Sequence, residues 1–357
     1  MTKKEKPALF GLEHSNRDFS NPESWGKNQF NSSFPAALAC YMGFKGVEPV
    51  YITLNEKMKA VHSTIKVADF LGLEPLSPHL FFSFETSHNP FMTKVIGSLP
   101  RTDLVTIDTS KNKYVSLRPI EIKLTALPDH VTCELPEEQY GCEIVTRPDT
   151  IVYLAFSIAE AYERDRKKLK GYFEPIFKRK NNWSSTVDVA PLLSELIEKL
   201  DLALANACDR QTPMVLQPVW KTLGKSAKLN DNCLDIFVWS SHAYTRLFVD
   251  PSRGSDGKYI TRHMRSVIWL TKLLYDYGCH GKVNHELIID SMTYDTKNDK
   301  AFAVSGSVTY PYMKGPVLTK PRIKKEEIKN IILGGGEKLL SPERRFDAII
   351  LNTPGLF

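Results

Sequence analysis

Two runs rich in β-branched and apolar residues, Asp103 to Ile107 and Tyr114 to Thr125, flank the turn-forming Ser110-Lys111-Asn112-Lys113, and no other feature constrains the chain as much. Together they predict a β-hairpin. The second run contains Pro119-Ile120-Glu121-Ile122-Lys123-Leu124, in which apolar and charged residues alternate. Side chains two apart share a face of a strand, so Ile120, Ile122 and Leu124 are expected toward the core and Glu121 and Lys123 toward the opposite face. A carboxylate and an ammonium held together beside such apolar neighbours call for a counterpart across the hairpin. Asp103 and Asp108 are the candidates. A turn centred on Asn112 sets Asp103 opposite Glu121 and Asp108 opposite Ser116, which leaves Asp108 about 16 Å along the strand from Glu121, too far to share an ion. Asp103 is the expected partner.

An acid two residues before a lysine is itself uninformative, since it occurs five times: Glu121/Lys123, Asp165/Lys167, Asp256/Lys258, Asp295/Lys297 and Glu327/Lys329. Context separates them. Asp165 and Glu327 lie in charged helical sequence and Asp256 and Asp295 in turns, so only Glu121 and Lys123 read as strand residues. Two carboxylates and a lysine converging at one edge of a sheet suit a divalent cation held by oxygen ligands, with the lysine orienting water or offsetting phosphate charge. That is the outline of a phosphodiester-hydrolysing site. The bland reading is a surface ion cluster on a solvated sheet face.

The rest of the chain bounds the setting. At 357 residues it is long enough for about two domains. Its composition, 42% hydrophobic and 25% charged, is that of a folded globular protein. No apolar run approaches the roughly 18 residues of a transmembrane helix, and Met1-Thr2-Lys3-Lys4-Glu5-Lys6-Pro7 is not followed by a signal-peptide core. No membrane role and a cytoplasmic location are expected. The six cysteines contain no CxxC pair and read as reduced. A net charge of +6 hints at a polyanionic partner.

Ser32-Ser33-Phe34-Pro35 predicts a helix start, with the helix over Ala36 to Met42. A strand follows over Val47 to Leu54, then a helix capped by Asn55 and running to about Leu71, then a strand over His79 to Phe84. One helix from Ile151 is expected to be packed at its start and solvated where it becomes charged after Tyr162, and a second to span Val189 to Ala207. Beyond these come a strand over Leu234 to Trp239, a helix over Arg262 to Tyr277, a hairpin of Glu286 to Tyr294 with Ala301 to Tyr310, and a strand at Ala348 to Leu351. Strands and helices mix without strict βαβ alternation, so the fold class is α/β or α+β around a mixed sheet flanked by helices. Lys180-Asn181-Asn182 marks the expected boundary, giving a core over 1–180 with the hairpin and a helical and β-hairpin region over 181–357.

An aspartate heading one strand and Glu-x-Lys on the next resembles the PD-(D/E)xK nuclease superfamily. The proline departs from the usual position, standing at Pro100 in Pro100-Arg101-Thr102-Asp103. The opening Ser15-Asn16-Arg17-Asp18-Phe19-Ser20, then Trp25-Gly26-Lys27-Asn28-Gln29-Phe30-Asn31-Ser32-Ser33-Phe34-Pro35, then Glu121-Ile122-Lys123-Leu124-Thr125 and Leu127-Pro128-Asp129 narrow the likeness. In these stretches the chain resembles the HindVP/HgiDI group of Type II restriction endonucleases over most of its length. The resemblance implies a restriction-endonuclease-like core with a C-terminal elaboration, in a bacterial cytoplasmic protein of a restriction-modification system. It also implies Mg²⁺-dependent double-strand cleavage at the palindrome GRCGYC, beside a cognate DNA methyltransferase. Asp103, Glu121 and Lys123 carry over as catalytic residues, with Asp103, Glu121 and the carbonyl of Ile122 on the metal. Glu85, after Leu80-Phe81-Phe82-Ser83-Phe84, is the candidate third acid.

Candidates for contact with double-stranded DNA are dispersed. Arg253, Lys258, Arg262 and Arg265 lie in and after a glycine-rich loop that could bring arginines to guanine edges, or be an ordinary exposed connection. Asn16, Arg17, Lys27, Asn28, Gln29 and Asn31 suit adenine edges or phosphate, and equally make turns. Arg164 to Lys180, with eight basic and three acidic residues counted from Glu163, is either a phosphate contact or a solvated helix face. Cys279-His280 with Asn284-His285 lacks zinc spacing, no GxSxG occurs, and Gly334-Gly335-Gly336 lacks the GK[ST] ending of a phosphate loop. A palindromic site also implies a two-fold homodimer, since one cluster addresses one strand at a time. The rivals are a non-catalytic DNA-binding protein and a structure-specific repair nuclease of the same superfamily.

Overall fold

The structure, a computed structural model, describes residues 33–111, 113–122, 142–144, 147–207, 220–223, 226–229, 238–239, 242–254, 259–294 and 302–304. Helix α1 spans Ser33–Lys45, where the serine–proline start predicted one. Strand β1, Val50–Leu54, then pairs antiparallel with β2, Ala60–Thr64, so the helix expected after Asn55 is a second strand instead. The Asn55 side chain does accept backbone N–H groups, those of Lys57 and Lys59, each at 3.0 Å. It thereby closes a tight turn, with Met58 in the left-handed region at φ 56°, rather than opening a helix. Asparagine serves both purposes with the same hydrogen bonds. Helix α2, Val67–Leu71, is all that remains of the expected helix, and it ends at Gly72 with φ 83°.

Strands β3 (Leu80–Thr86), β4 (Thr102–Asp108), β5 (Val115–Ile122) and β9 (Val238–Trp239) form an antiparallel sheet in the order β3-β4-β5-β9. The short helix α3, Asn89–Met92, lies between β3 and β4. Strands β4 and β5 are the predicted hairpin. The register shifts between Thr106 and Ile107, so Asp108 opposes Val115 rather than Ser116. Asp108 accepts the Ser110 N–H at 2.8 Å, and these bonds hold its carboxyl below the usual carboxylate range: its work is to shape the turn. Leu104, Val105 and Thr106 are all buried, as an inner strand covered on both faces requires. Two further pairings are small: β6 (Cys142–Ile144) with β10 (Phe302–Val304), and β7 (Trp220–Leu223) with β8 (Ser226–Leu229).

The helices surround α9, Arg262–His280, which packs against α4 (Pro148–Ala159), α5 (Arg166–Phe177), α7 (Leu193–Ala205) and α8 (Arg246–Ser252). Helix α4 begins with proline in its first turn, where the missing N–H costs nothing, and is buried from Thr150 to Ala159. The single helix expected from Ile151 is in fact two: a 3-10 turn over Glu160–Tyr162 ends the first, and Asp165 caps α5 by accepting the Lys168 N–H. Four-residue α6, Thr186–Val189, precedes α7. Gly278 lets α9 approach α5 closely, since a Cβ there would lie 2.7 Å from the Lys170 nitrogen. The expected strand over Glu286 to Tyr294 is helix α10, His285–Ser291, started by the Asn284 side chain accepting the Leu287 N–H at 3.1 Å. Strand β10 accordingly pairs with β6 and not with this segment.

One apolar core runs from Leu54 to Met292 and draws on α4, α5, α7 and α9. The α9–α10 connection is tied to the segment after α3, through Val283 N–H on the Lys94 carbonyl at 2.9 Å and Ile96 N–H on the Val283 carbonyl at 2.8 Å. The strand expected at Ala348 to Leu351 and the glycine triplet at Gly334 lie outside the described residues. Among the described residues no helix is long and apolar enough to cross a membrane.

Candidate functional site

The register joining Leu104 to Ile120 and Val105 to Pro119 sets Asp103 opposite Glu121, as the hairpin predicted. On the other side of β4, the pairs Phe84–Leu104 and Thr86–Thr102 bracket Glu85 opposite Asp103. Three acidic residues, Glu85, Asp103 and Glu121, therefore occupy one row across three adjacent strands. Directly opposed residues have Cβ atoms about 5 Å apart, close enough for the Asp103 and Glu121 side chains to meet. The row lies toward the strand ends of two inner strands and not at a lateral edge of the sheet, because β9 covers β5 through Glu121–Trp239 and Ile122–Val238. Asp103 and Glu121 are half-buried. Lys123 lies outside the described residues.

The neighbours of this row are polar groups that fix its backbone. Thr102, 2% exposed, has its hydroxyl 3.0 Å from the Ile120 carbonyl and 3.3 Å from Oε2 of Glu121. Tyr153, from buried α4, donates its hydroxyl to the Pro100 carbonyl at 2.8 Å and accepts the His88 N–H at 3.1 Å. The Ser87 hydroxyl lies 3.0 Å from the Leu99 carbonyl and 3.3 Å from that of Pro100. Burial, then the negative charges of Glu121 and Asp149, push the Tyr153 hydroxyl up to about 12, so it remains a donor. His88 is buried with Nδ1 lacking a hydrogen-bond partner among the described residues, and burial, then Lys94 and Arg118, lower it to about 4. Sequence reasoning missed Thr102 and Tyr153. The available signal was a tyrosine inside the apolar run Ile151 to Phe156 and a threonine beside Asp103.

Two facing carboxylates are hard oxygen donors of the kind Mg²⁺ takes, one or two at a time, with waters and phosphate completing its shell. The Ile122 carbonyl, at the end of β5, is a third oxygen in the same stretch. Among the described residues, no group of three or more His, Cys, Asp or Glu side chains is placed to hold a metal ion.

The candidate DNA-contact residues are held apart from one another by different duties. Arg253 pairs with Asp201 and, at 3.7 Å, with Asp250, in a network that also holds buried Arg246 between α7 and α8. Arg265 donates to the Thr293 carbonyl at 2.9 Å and lies 4.6 Å from the Trp269 ring centre. Arg262, in the first turn of α9, is half-exposed. Lys258, Lys27, Asn28 and Gln29 lie outside the described residues. In the basic stretch, Leu169, Phe173, Ile176 and Phe177 are buried, while Lys170 and Lys178 pair with Glu174, Arg179 with Glu195 and Lys180 with Asp188. His285 Nε2 lies 2.8 Å from the Ser98 carbonyl, a packing contact.

Comparison with known proteins gives this geometry its context. No solved structure matches the chain. The chain is 45% identical over 352 residues, 99% of its own length and 97% of the relative's, to the Type II restriction enzyme HgiDI of Herpetosiphon aurantiacus. It is 46% identical over 359 residues, 99% of its length and 95% of the relative's, to the probable type II restriction enzyme HindVP of Haemophilus influenzae. The family model described as HindVP restriction endonuclease matches residues 25–357. With matches of this extent along nearly its whole length, the chain belongs to the HindVP restriction endonuclease family.

Proposed function

We propose that this restriction endonuclease hydrolyses both strands of DNA with Mg²⁺, using Asp103, Glu121 and Lys123, at a short palindrome for which family resemblance implies GRCGYC. The observation that carries the reading is the cross-strand opposition of Asp103 and Glu121 in a chain of this family. In this reading the two carboxylates and the Ile122 carbonyl hold the cation, and Glu85, in register with Asp103, is the third acid. When bound, Mg²⁺ supplies the compact positive charge that stabilises the developing phosphate charge. Asp103 and Glu121 fix where that charge sits, and the Lys123 ammonium orients the attacking water and offsets charge on the phosphate. The buried neighbours of the strands keep bulk water away from one side of the row.

The same reading assigns the core the PD-(D/E)xK arrangement and gives the region after residue 180 a share of DNA recognition, with Arg262 the arginine of its group least committed to internal contacts. Two copies related by a dyad, working beside a cognate methyltransferase, match the symmetry of a palindrome. The experiment is a digest of plasmid DNA with and without Mg²⁺. Discrete fragments only with Mg²⁺ support the proposal; a smear indicates a structure-specific nuclease, and intact DNA under both conditions a non-catalytic binder.

A further inference from the structure

Thr102 stands directly before Asp103 on β4, yet its side chain reaches across to β5. Its hydroxyl has one proton and two acceptors within reach, the Ile120 carbonyl at 3.0 Å and Oε2 of Glu121 at 3.3 Å. The proton is shared between the two, with the contact to the Ile120 carbonyl buried and that to the Glu121 carboxylate partly buried, Thr102 itself being 2% exposed. A glutamate side chain has three rotatable bonds and loses substantial freedom when held in one geometry. A buried donor on its carboxylate makes one rotamer the preferred one before any ligand arrives. The backbone entering Thr102 is itself pinned, because Tyr153 and Ser87 bind the Pro100 carbonyl from α4 and from the end of β3. The hydroxyl therefore has a fixed origin from which to hold Glu121.

We propose that Thr102 is a positioning residue, whose hydroxyl holds the Glu121 carboxylate in the orientation in which it shares a divalent cation with Asp103. The inference rests on the reading of Asp103 and Glu121 as the cation ligands. Partners that orient a ligating carboxylate typically contribute tenfold to a hundredfold in metal affinity. Thr102→Val keeps the branched shape and removes the hydroxyl, whereas Thr102→Ser keeps the hydroxyl and removes a methyl group.

The test measures Ca²⁺-dependent binding, by fluorescence anisotropy, of a duplex containing a sequence the wild-type enzyme cuts, together with the Mg²⁺ midpoint for cleavage. Thr102→Val should raise the Ca²⁺ midpoint about tenfold, with a parallel rise in the Mg²⁺ midpoint, while Thr102→Ser stays close to wild type. Thermal unfolding is recorded for each variant, and if Thr102→Val does not fold, Thr102→Ala is judged by the same shift. A wild-type Ca²⁺ midpoint in a folded variant lacking the hydroxyl, or a Thr102→Ser variant as impaired as Thr102→Val, overturns the inference. Asp103→Asn and Glu121→Gln separate the two levels. If they lose the Ca²⁺ response and Thr102→Val does not, this inference alone fails; if they too respond like wild type, the ligand assignment fails with it.

Discussion

Replacing Tyr153 by phenylalanine removes one oxygen atom and two hydrogen bonds from the support of the acidic row. The donor bond to the Pro100 carbonyl, 2.8 Å, is lost from a group that keeps the Ser87 hydroxyl at 3.3 Å as a substitute. The bond from the His88 N–H, 3.1 Å, is lost from a group whose residue is 4% exposed and to which water has little access. An exchanged hydrogen bond contributes about 1 kcal/mol and a buried polar group left unpaired costs about 1–3 kcal/mol, so the variant should lose about 2–4 kcal/mol, mostly at His88. Urea unfolding should show a lower midpoint with an unchanged slope. The backbone ahead of Thr102 would also lose its anchor on α4, so the Mg²⁺ requirement for cleavage should rise. A stability change under about 0.5 kcal/mol, the size expected of a neutral surface substitution, would refute the idea that Tyr153 is a strut.

Two further outcomes follow from the packing. His88 titrates near 6.5 when unfolded but is held down to about 4 when folded, by burial and then by Lys94 and Arg118. The unfolded chain therefore binds the extra proton first: stability is full above about pH 6.5 and falls as pH drops toward 4, by about 3 kcal/mol from this residue. His263, lowered to about 4 by burial, adds a second contribution, so His88→Asn should reduce the acid loss of unfolding free energy between pH 6.5 and 4.5 without abolishing it. An unchanged pH slope would count against the burial argument. Gly278→Ala would place a Cβ 2.7 Å from the Lys170 backbone nitrogen and force α5 and α9 apart, lowering stability by about 1–3 kcal/mol despite alanine's better helix propensity, as read by urea unfolding.

The hairpin was legible because three local signals agreed: two β-rich runs, a polar turn between them, and a period-two alternation that a one-residue slip would destroy. The opposition of Asp103 and Glu121 followed from the turn alone, and only the bulge near Thr106 escaped, since it depends on the Thr106 hydroxyl bonding the Leu71 carbonyl at 2.8 Å and taking the Arg118 N–H at 3.1 Å. Asn55 was misread because an asparagine side chain that closes a hairpin turn uses the same acceptor with which asparagine elsewhere caps a helix. Residues 286–294 were misread because the paired isoleucines Ile288 and Ile289 suggest a strand, while Asn284 and packing beside α9 make a helix. Thr102 and Tyr153 could not be assigned from sequence, because what they touch is remote in the chain. The basic stretch illustrates the opposite limit: its charge was plain, but the partners Glu174, Asp188 and Glu195 that occupy four of those cations emerge only with the fold.

The central claim is that Asp103 and Glu121 form the hydrolytic site. Asp103→Ala and Glu121→Ala, assayed side by side on plasmid DNA with Mg²⁺ and for binding to the fragment the wild type cuts, test it most directly. Because the barrier to phosphodiester hydrolysis is lowered mainly by charge fixed at the reacting phosphate, each variant should lose detectable cleavage while retaining DNA binding that no longer responds to the divalent cation. A folded variant of either kind that cuts at a near-wild-type rate would contradict the account.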